Sequence, residues 1–562
     1  MQWGQNAGHT GSAVVAGQRP EQIHAEFVYD GLADAMRRDR GGDLLVHYMA
    51  PLVDGDDVFT MSRGASTWES CRDGFVPCGT SRWPLMQWGV TKLSWDAAGV
   101  ARDGSGLRTG ARQLNTRWTT VSRWVPPPDD GRGWEPVFHP ALTANFIYLP
   151  CEAGTIMKVD RASGTVLGIL SPFAEKDLSR YVASPLTVDG AGAVYYTVVG
   201  LDAAGPWTRD IAEAWVVKID AAGGARKVAF RDLVVGAPVQ CTTSFRGDSL
   251  PWPPSVDAVA PTAACGGQRP GLNVAPAIAP DGTVYVVSRA HFNGAYGYLV
   301  ALGGDLSLRW AASLRDRLND GCDVLIPASG TVGGCRAGSR RGVDPSTNLA
   351  PAGVVEDLST ASPVVAPDGS VLYGTFTRYN YARGHLFRFS AGGAFLGAYD
   401  FGWDITPAVW AHDGTWSVIV KDNGYPVGSY CGSPAVCGQA EARYSLTSLS
   451  ADLRPEWTYR NLNDQLCERL ESGKFQCKAV PPGFEWCVNM VAVDQDGVVY
   501  ANSEDGNLYA IDRTGRRVGQ MFLKVALGAA YTPLAIGPDG MIYTQNDGTL
   551  YAVGDGVRRL GR

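Results

Sequence analysis

One phrase recurs along the chain and limits what it can fold into: a small residue and proline, an apolar strand, Asp-Gly, a second strand rich in Val and Tyr, a spacer, then an apolar third strand. The clearest copies are SPVVAPDGSVLYGTF from Ser362, APAIAPDGTVYVVSR from Ala275 and TPLAIGPDGMIYTQNDGTLYAV from Thr532. Looser copies begin at Ala50, His139, Ser184, Thr406 and Val488, which makes eight. The turns at Asp368, Asp413, Asp496 and Asp539 lie 45, 83 and 43 positions apart, the 83 being one unit plus an insertion. A unit of that size matches the roughly 40 to 50 residues of a four-stranded blade. Leucine-rich repeats need a shorter period, and helical repeats need a 3.6-residue apolar pattern that is missing here.

The expected fold is therefore all-β: an eight-bladed β-propeller of four-stranded antiparallel blades, a single domain over residues 1–562. With the strands of a blade lettered A to D from the axis outward, the A–B turns are tight, as at Pro280-Asp281-Gly282, and so are C–D turns such as Asp512-Arg513-Thr514-Gly515. The long stretches 64–88, 200–212 and 422–441 fall between B and C; 119–135, 231–272, 311–360 and 458–486 fall between D and the next A. In an up-and-down blade these two connections leave from the same side, so one rim is expected to be bare and the other built up. Residues 1–40 are expected to close the ring, with His24–Tyr29 as the outermost strand of the last blade, because an open ring leaves strand edges exposed.

Twelve cysteines sit mostly in close pairs: Cys71/Cys78, Cys241/Cys265, Cys322/Cys335, Cys431/Cys437 and Cys467/Cys477, with Cys151 and Cys487 left over. None has zinc-site or haem-attachment spacing, so they read as disulfide staples in loops, and such bonds persist in a periplasmic or extracellular setting. Cys151 and Cys487 either bond to each other or stay buried as thiols. The chain opens Met-Gln-Trp-Gly without a leader-like stretch, and the expectation is a mature form. A net charge of −7 with scattered acids argues against nucleic acid as a partner. No apolar run approaches the length of a membrane helix, and a monomer is expected.

The repeat, together with the opening W-G-Q-N-A-G-H-T-G from Trp3 to Gly11, resembles the pyrroloquinoline-quinone-like propeller superfamily. Its members include quinoprotein alcohol dehydrogenases and the propeller lipoprotein of the outer-membrane assembly machinery. The resemblance implies the fold and raises pyrroloquinoline quinone with calcium as a cofactor. The sequence departs from those dehydrogenases in having no Cys-Cys step, and their calcium-binding Glu/Asn pair and catalytic Asp have no assigned counterpart. The resemblance also makes Trp310 and Trp457 docking residues between blades.

Residues at or before the A strands converge on the channel mouth: His47, Tyr48, His139, Ser184, Asn273, Ser362, Asp404, Thr406, Asn489 and Thr532. Ser-Pro and Thr-Pro steps serve mainly to start strands. His47, His139 and Asp404 are the candidate catalytic residues, a histidine acting as base with Asp404 as its partner. Asn273 and Asn489, with Trp252 and Trp486 in the insertions, are the candidate ligand-binding residues; Trp68, Trp83, Trp88 and Trp207 are further surface candidates. The acidic turns Asp54-Gly55-Asp56-Asp57 and Asp494-Gln495-Asp496-Gly497 carry only fragments of a calcium loop and read as hairpin turns, so no metal site is expected. The leading functional expectation is a scaffold that binds a protein or glycan through the built-up rim. The alternatives are a quinone-dependent oxidoreductase with its cofactor in the central funnel, and a hydrolase or lyase using a funnel histidine.

Overall fold

The computed structural model describes residues 2–39, 49–64, 86–96, 112–128, 136–243, 259–315, 317, 353–357, 359, 361–377, 383–402, 405–423, 444–470, 472, 474–525, 527 and 533–556. Eight antiparallel sheets follow one another along the chain, each ordered A-B-C-D. Blade 1 comprises Leu52–Asp54, Asp57–Gly64, Gln87–Trp95 and Leu114–Ser122, and blade 2 Ala141–Leu142, Phe146–Pro150, Ile156–Asp160 and Val166–Leu170. In blade 3 a split A strand (Arg180–Val182, Thr187–Val188) precedes Val194–Gly200, Glu213–Ile219 and Ala225–Ala229. Blade 4 repeats this with Gln268–Pro270 and Ala277–Ile278 before Val284–Ala290, Gly297–Leu302 and Leu308–Ser313. Blade 5 is Val364–Val365, Val371–Thr377, Arg383–Phe389 and Phe395–Gly402; blade 6 is Ala408–His412, Thr415–Lys421, Ser445–Ser450 and Pro455–Arg460. Blade 7 is Ala492–Val493, Val499–Asn502, Asn507–Ile511 and Arg517–Phe522. Blade 8 takes Ala535–Ile536, Ile542–Asn546 and Thr549–Gly554 from the end of the chain and its outermost strand, Gln22–Val28, from the beginning.

The pattern of burial explains why the repeat folds this way. The B strands of blades 3 and 4 are buried at every position, since each lies between two neighbouring sheets, and they are rich in Val and Tyr. The D strands face solvent along part of their length and read more like loops. For that reason three expected insertions are shorter than the sequence suggested, residues 119–122, 311–313 and 458–460 finishing D strands, and a fourth is shortened at its far end, where 268–270 begin an A strand. Asp-Gly turns close the A–B hairpins because the glycine adopts the left-handed region, φ +79 at Gly369 and +82 at Gly540. In the same turns the Asp281 and Asp368 carboxylates accept bonds from the main-chain N–H and hydroxyl of Thr283 and Ser370.

Tryptophans lock adjacent blades. Trp310 Nε1 donates to Ala391 O at 2.8 Å and its ring covers Gly393; Trp457 covers Gly515 in the same way one blade pair further on. Trp118 and Trp410 repeat the contact at Gly164 and Gly497.

The built-up rim carries two excursions that are themselves hairpins. Gln240–Thr242 pairs with Thr262–Ala264 beside the Cys241–Cys265 bond, and Gln465–Arg469 pairs with Phe475–Ala479 across the Cys467–Cys477 bond. Cys151 and Cys487 are buried thiols and are not bonded to each other. The other three cysteine pairs lie outside the described residues. One long connection differs from the tight C–D turns expected: residues between Trp95 and Leu114 join strands C and D of blade 1 and so leave from the opposite rim. No helix among the described residues is long and apolar enough to cross a membrane.

Candidate functional site

Strands from eight sheets meet at the axis, and the first thirteen residues settle how that axis is closed. The main chain of this segment bonds to the innermost strands of successive blades. Ile278 N donates to Ala7 O (2.7 Å), Val365 N to Gly8 O (2.9 Å), Val409 N to Thr10 O (2.7 Å) and Val493 N to Gly11 O (3.0 Å). Gln2 exchanges two bonds with the main chain of Val188, and Ile536 N donates to Gln5 Oε1. Five of these six partners are the last residues of their A strands, next to the A–B turn, and Val409 sits early in the longer Ala408–His412, so the segment stoppers the channel from the bare rim inward. Beside it, a groove of about 610 Å³ is lined by Gln2, Gln5, Asn6, Thr143, Asn145 and Asp189.

At the other end of the A strands, the residues expected to form a polar funnel are buried and mostly hold blades together. Ala275 N donates to Ser362 Oγ (2.9 Å), Ser362 N to Thr406 Oγ1 (3.1 Å), Thr406 N to Asn489 O (2.7 Å) and Val137 N to Asn273 Oδ1 (3.1 Å). Ser184 Oγ accepts from Thr197 N within blade 3. The Asn273 oxygen is thus a structural acceptor.

His139 and Asn489 differ from these. His139 is fully buried, its Nδ1 lies 2.8 Å from Pro140 O, and its Nε2 has no protein partner. With Nδ1–H donating to that carbonyl, Nε2 is a bare acceptor. Burial pushes the imidazole down to about 3, and His9, held by Pro363 O and Thr187 Oγ1, is pushed down to about 4 by the same cause. A histidine this weakly basic is a poor general base near neutral pH. Trp3 meets His139 edge-on at 5.3 Å, and its Nε1 is also without a partner. Asn489 is fully buried and neither of its amide atoms has a protein partner. Sealed donors and acceptors of this kind hold water or a polar ligand. His47, Tyr48, Asp404 and Thr532 lie outside the described residues.

Trp486, expected to offer its ring to a ligand, is instead completely buried, edge-on to Tyr509 at 5.2 Å and to Tyr459 at 6.2 Å. Its main chain is clamped by Asn423, whose Nδ2 donates to Trp486 O at 3.1 Å. A tryptophan at the foot of an insertion can turn inward as readily as outward, and the sequence gives no sign of which. Trp88 is likewise buried, against Trp124 and Phe138. Trp207 is partly buried; it stacks on His291 and donates to Pro128 O. Trp68, Trp83 and Trp252 lie outside the described residues.

The acidic turns are occupied by their own surroundings. Asp494 accepts main-chain bonds from Gly17, Asp496 and Val498, while Asp56 pairs with Arg112 and Asp57 with Lys92. One group that sequence reading missed is Glu485, Cys487 and Glu504, whose ligand atoms lie within 4.8 Å of one another on the built-up rim. Two carboxylates and a thiol form a donor set suited to a borderline divalent cation. Pyrroloquinoline quinone with calcium fits the axial residues poorly: the described members of the ring offer hydroxyls, amides and an imidazole but no carboxylate for calcium, and there is no adjacent-cysteine ring.

Also unanticipated was the apolar character of the excursions. Val235, Val239 and Val259 are about four-fifths exposed near the first, and Leu462, Leu470 and Phe475 are exposed at the second. Between the second hairpin and blades 7 and 8 lies a cleft of about 660 Å³ lined by Leu466, Lys478, Phe522, Leu523, Lys524 and Tyr551. Lys524 and Arg37 at its edge converge on the buried carboxylate of Asp547.

These features define an eight-bladed β-propeller with a self-stoppered axis and one elaborated rim. Among solved structures it is similar to the quinohemoprotein alcohol dehydrogenase from Comamonas testosteroni, with a TM-score of 0.49 and 11% identity over 100% of this chain and 81% of that one. It is also similar to BamB from Moraxella catarrhalis (TM-score 0.41, 12% identity, 95% and 99% covered) and to a streptogramin B lyase (0.31, 10%, 73% and 90%). At these identities the likeness is one of fold. No protein-family model and no curated protein matches the sequence.

Proposed function

We propose that the protein is a binding scaffold of the periplasm or cell exterior that receives a protein or glycan on its built-up rim. The observation that carries this reading is the set of exposed apolar side chains at the two disulfide-stapled excursions, Val239 and Val259 on one and Leu462 and Phe475 on the other. Apolar groups gathered on one rim are a mark of a docking surface, and the staples support an oxidising compartment. The stoppered bare rim leaves the elaborated side as the approach to the axis, where Asn489 has unused hydrogen-bonding capacity. Trp252 belongs to the same insertion as Val259 and is a candidate contact.

The test is binding to a glycan array and to fractionated envelope proteins, comparing the wild type with Val239→Lys/Leu462→Lys and with Val14→Lys on the bare rim, where Val14 is 92% exposed. The first variant should weaken retention of any ligand at least tenfold and the second should leave it unchanged. Equal binding by all three proteins would overturn the assignment of the rim.

A further inference from the structure

We infer that Ser417, His412 and Asp413, on the bare rim of blade 6, form a nucleophilic site that hydrolyses small carboxylic esters. The A–B hairpin of this blade departs from the repeat. Its A strand runs over five residues, Ala408–His412, where blades 2, 5, 7 and 8 have two. The extension pairs Trp410 with Ser417 and His412 with Thr415. Alternation along the strand puts Trp410 and His412 on one face of the sheet, and cross-strand pairing adds Ser417 to that face. A repeat broken in this way marks a place where the fold serves something besides its own assembly.

His412 Nε2 lies 2.9 Å from Ser417 Oγ, and its Nδ1 lies 3.5 Å from Asp413 Oδ2. The carboxylate favours the tautomer with the proton on Nδ1, which leaves Nε2 to accept from the serine hydroxyl. Nucleophile, base and orienting acid thus stand in the order that activates a serine. The imidazole is stacked on Trp410, with ring centroids 4.0 Å apart and 23° between planes, and Trp410 Nε1 donates to Gln495 O. Asp413 is largely exposed, so water screens its hold on the imidazole and the esterase is a slow one.

A cavity of about 320 Å³ at the seam of blades 6 and 7 is lined by Ser417, His412, Trp410, Trp457, Glu456 and Arg513. Its size suits a short acyl ester, and the two indoles supply apolar walls. Ser417 is only 2% exposed, so its hydroxyl is approached through this cavity. Ser417 Oγ attacks the ester carbonyl carbon while its proton passes to His412 Nε2. The bond from that carbon to the alcohol oxygen then breaks, and the alcohol leaves with the proton. Water attacks the acyl-serine by the same route, releasing the carboxylic acid and restoring the hydroxyl. Arg513 has no ion-pair partner among the described residues, and its guanidinium is the cation at hand for the oxyanion. The site lies on the rim opposite the docking surface and does not rest on the binding reading.

The test uses an alkyl fluorophosphonate, which phosphonylates activated serines, and p-nitrophenyl acetate as the ester. Peptide mass spectrometry of the wild type should find the label on Ser417 and not on Ser448, which lines the same cavity but donates to Glu456. Ser417→Ala should abolish labelling. His412→Phe keeps a ring against Trp410 and should slow labelling about a hundredfold. Both variants should melt as the wild type does. Asp413 is a positioning residue: Asp413→Asn, whose side chain tolerates the φ of +46, should lower kcat for p-nitrophenyl acetate severalfold at unchanged KM. A folded wild type that takes no label at Ser417, or His412→Phe labelled as fast as the wild type, would overturn the inference.

Discussion

Val365 donates its main-chain N–H to the carbonyl of Gly8 at 2.9 Å, although 357 residues separate them in the chain. That bond is one of a series by which the opening segment ties together the inner edges of blades 3 to 8. Trp3, with no exposed surface, anchors one end of it against His139.

The stopper should therefore matter for stability. Trp3→Ala is expected to cost about 3–5 kcal/mol, the usual penalty for emptying a buried tryptophan site. Urea denaturation should show the loss, and binding at the opposite rim should persist at temperatures where the variant is folded.

Acid should destabilise the fold in two stages. His9, His139 and His291 are pushed down to about 4, 3 and 4, with burial as the leading cause. The unfolded chain then binds more protons than the folded one below about pH 6.5, so stability falls as pH drops from there toward 4, by up to about 1.4 kcal/mol per pH unit for each histidine. Asp357 acts lower. Burial works to raise it, but the guanidiniums of Arg269 and Arg289 hold it well below the usual carboxylate range. Its contribution is present above the ordinary aspartate value and is lost only as pH falls below it. Urea midpoints measured between pH 7 and 3 should show both phases, and Asp357→Asn should shrink the lower one, to which Asp281 and other hydrogen-bonded aspartates also contribute, at a cost of about 3–5 kcal/mol near neutrality.

Blade-to-blade docking predicts a contrast between two glycines only four residues apart. At Gly393, with φ +86, a Cβ would lie 2.7 Å from the Trp310 ring, whereas at Gly397 it would meet nothing. Gly393→Ala should lower the melting temperature clearly through backbone strain and clash, of order 1–3 kcal/mol. Gly397→Ala should leave it nearly unchanged.

Pyrroloquinoline quinone with calcium should produce neither a melting shift nor a change in cofactor absorbance at saturating concentration. A stoichiometric shift would show that residues beyond the described ring complete a quinone site, and the oxidoreductase reading would return.

The blades were legible because their signal is periodic: eight copies of one phrase, with Asp-Gly at the hairpin turn, leave little freedom in the architecture. The side on which the disulfide hairpins sit followed from counting strands between insertions. The stopper was not legible, because Gly8, Thr10 and Gly11 act through main-chain groups that any residue possesses. Trp486 was misread for a related reason. Its inward turn depends on Asn423, 63 positions earlier, and no local pattern records that partnership. Among the described strand starts, the hydroxyls of Ser184, Ser362 and Thr406 accept main-chain bonds, and the Asn273 side chain does the same.

The pairing of Gln22–Val28 with Thr549–Gly554 also bears on how the molecule is made. Gln22–Val28 has no seat until Thr549–Gly554 has formed, so closing the ring is the one sheet-building step that strands adjacent in sequence cannot take alone.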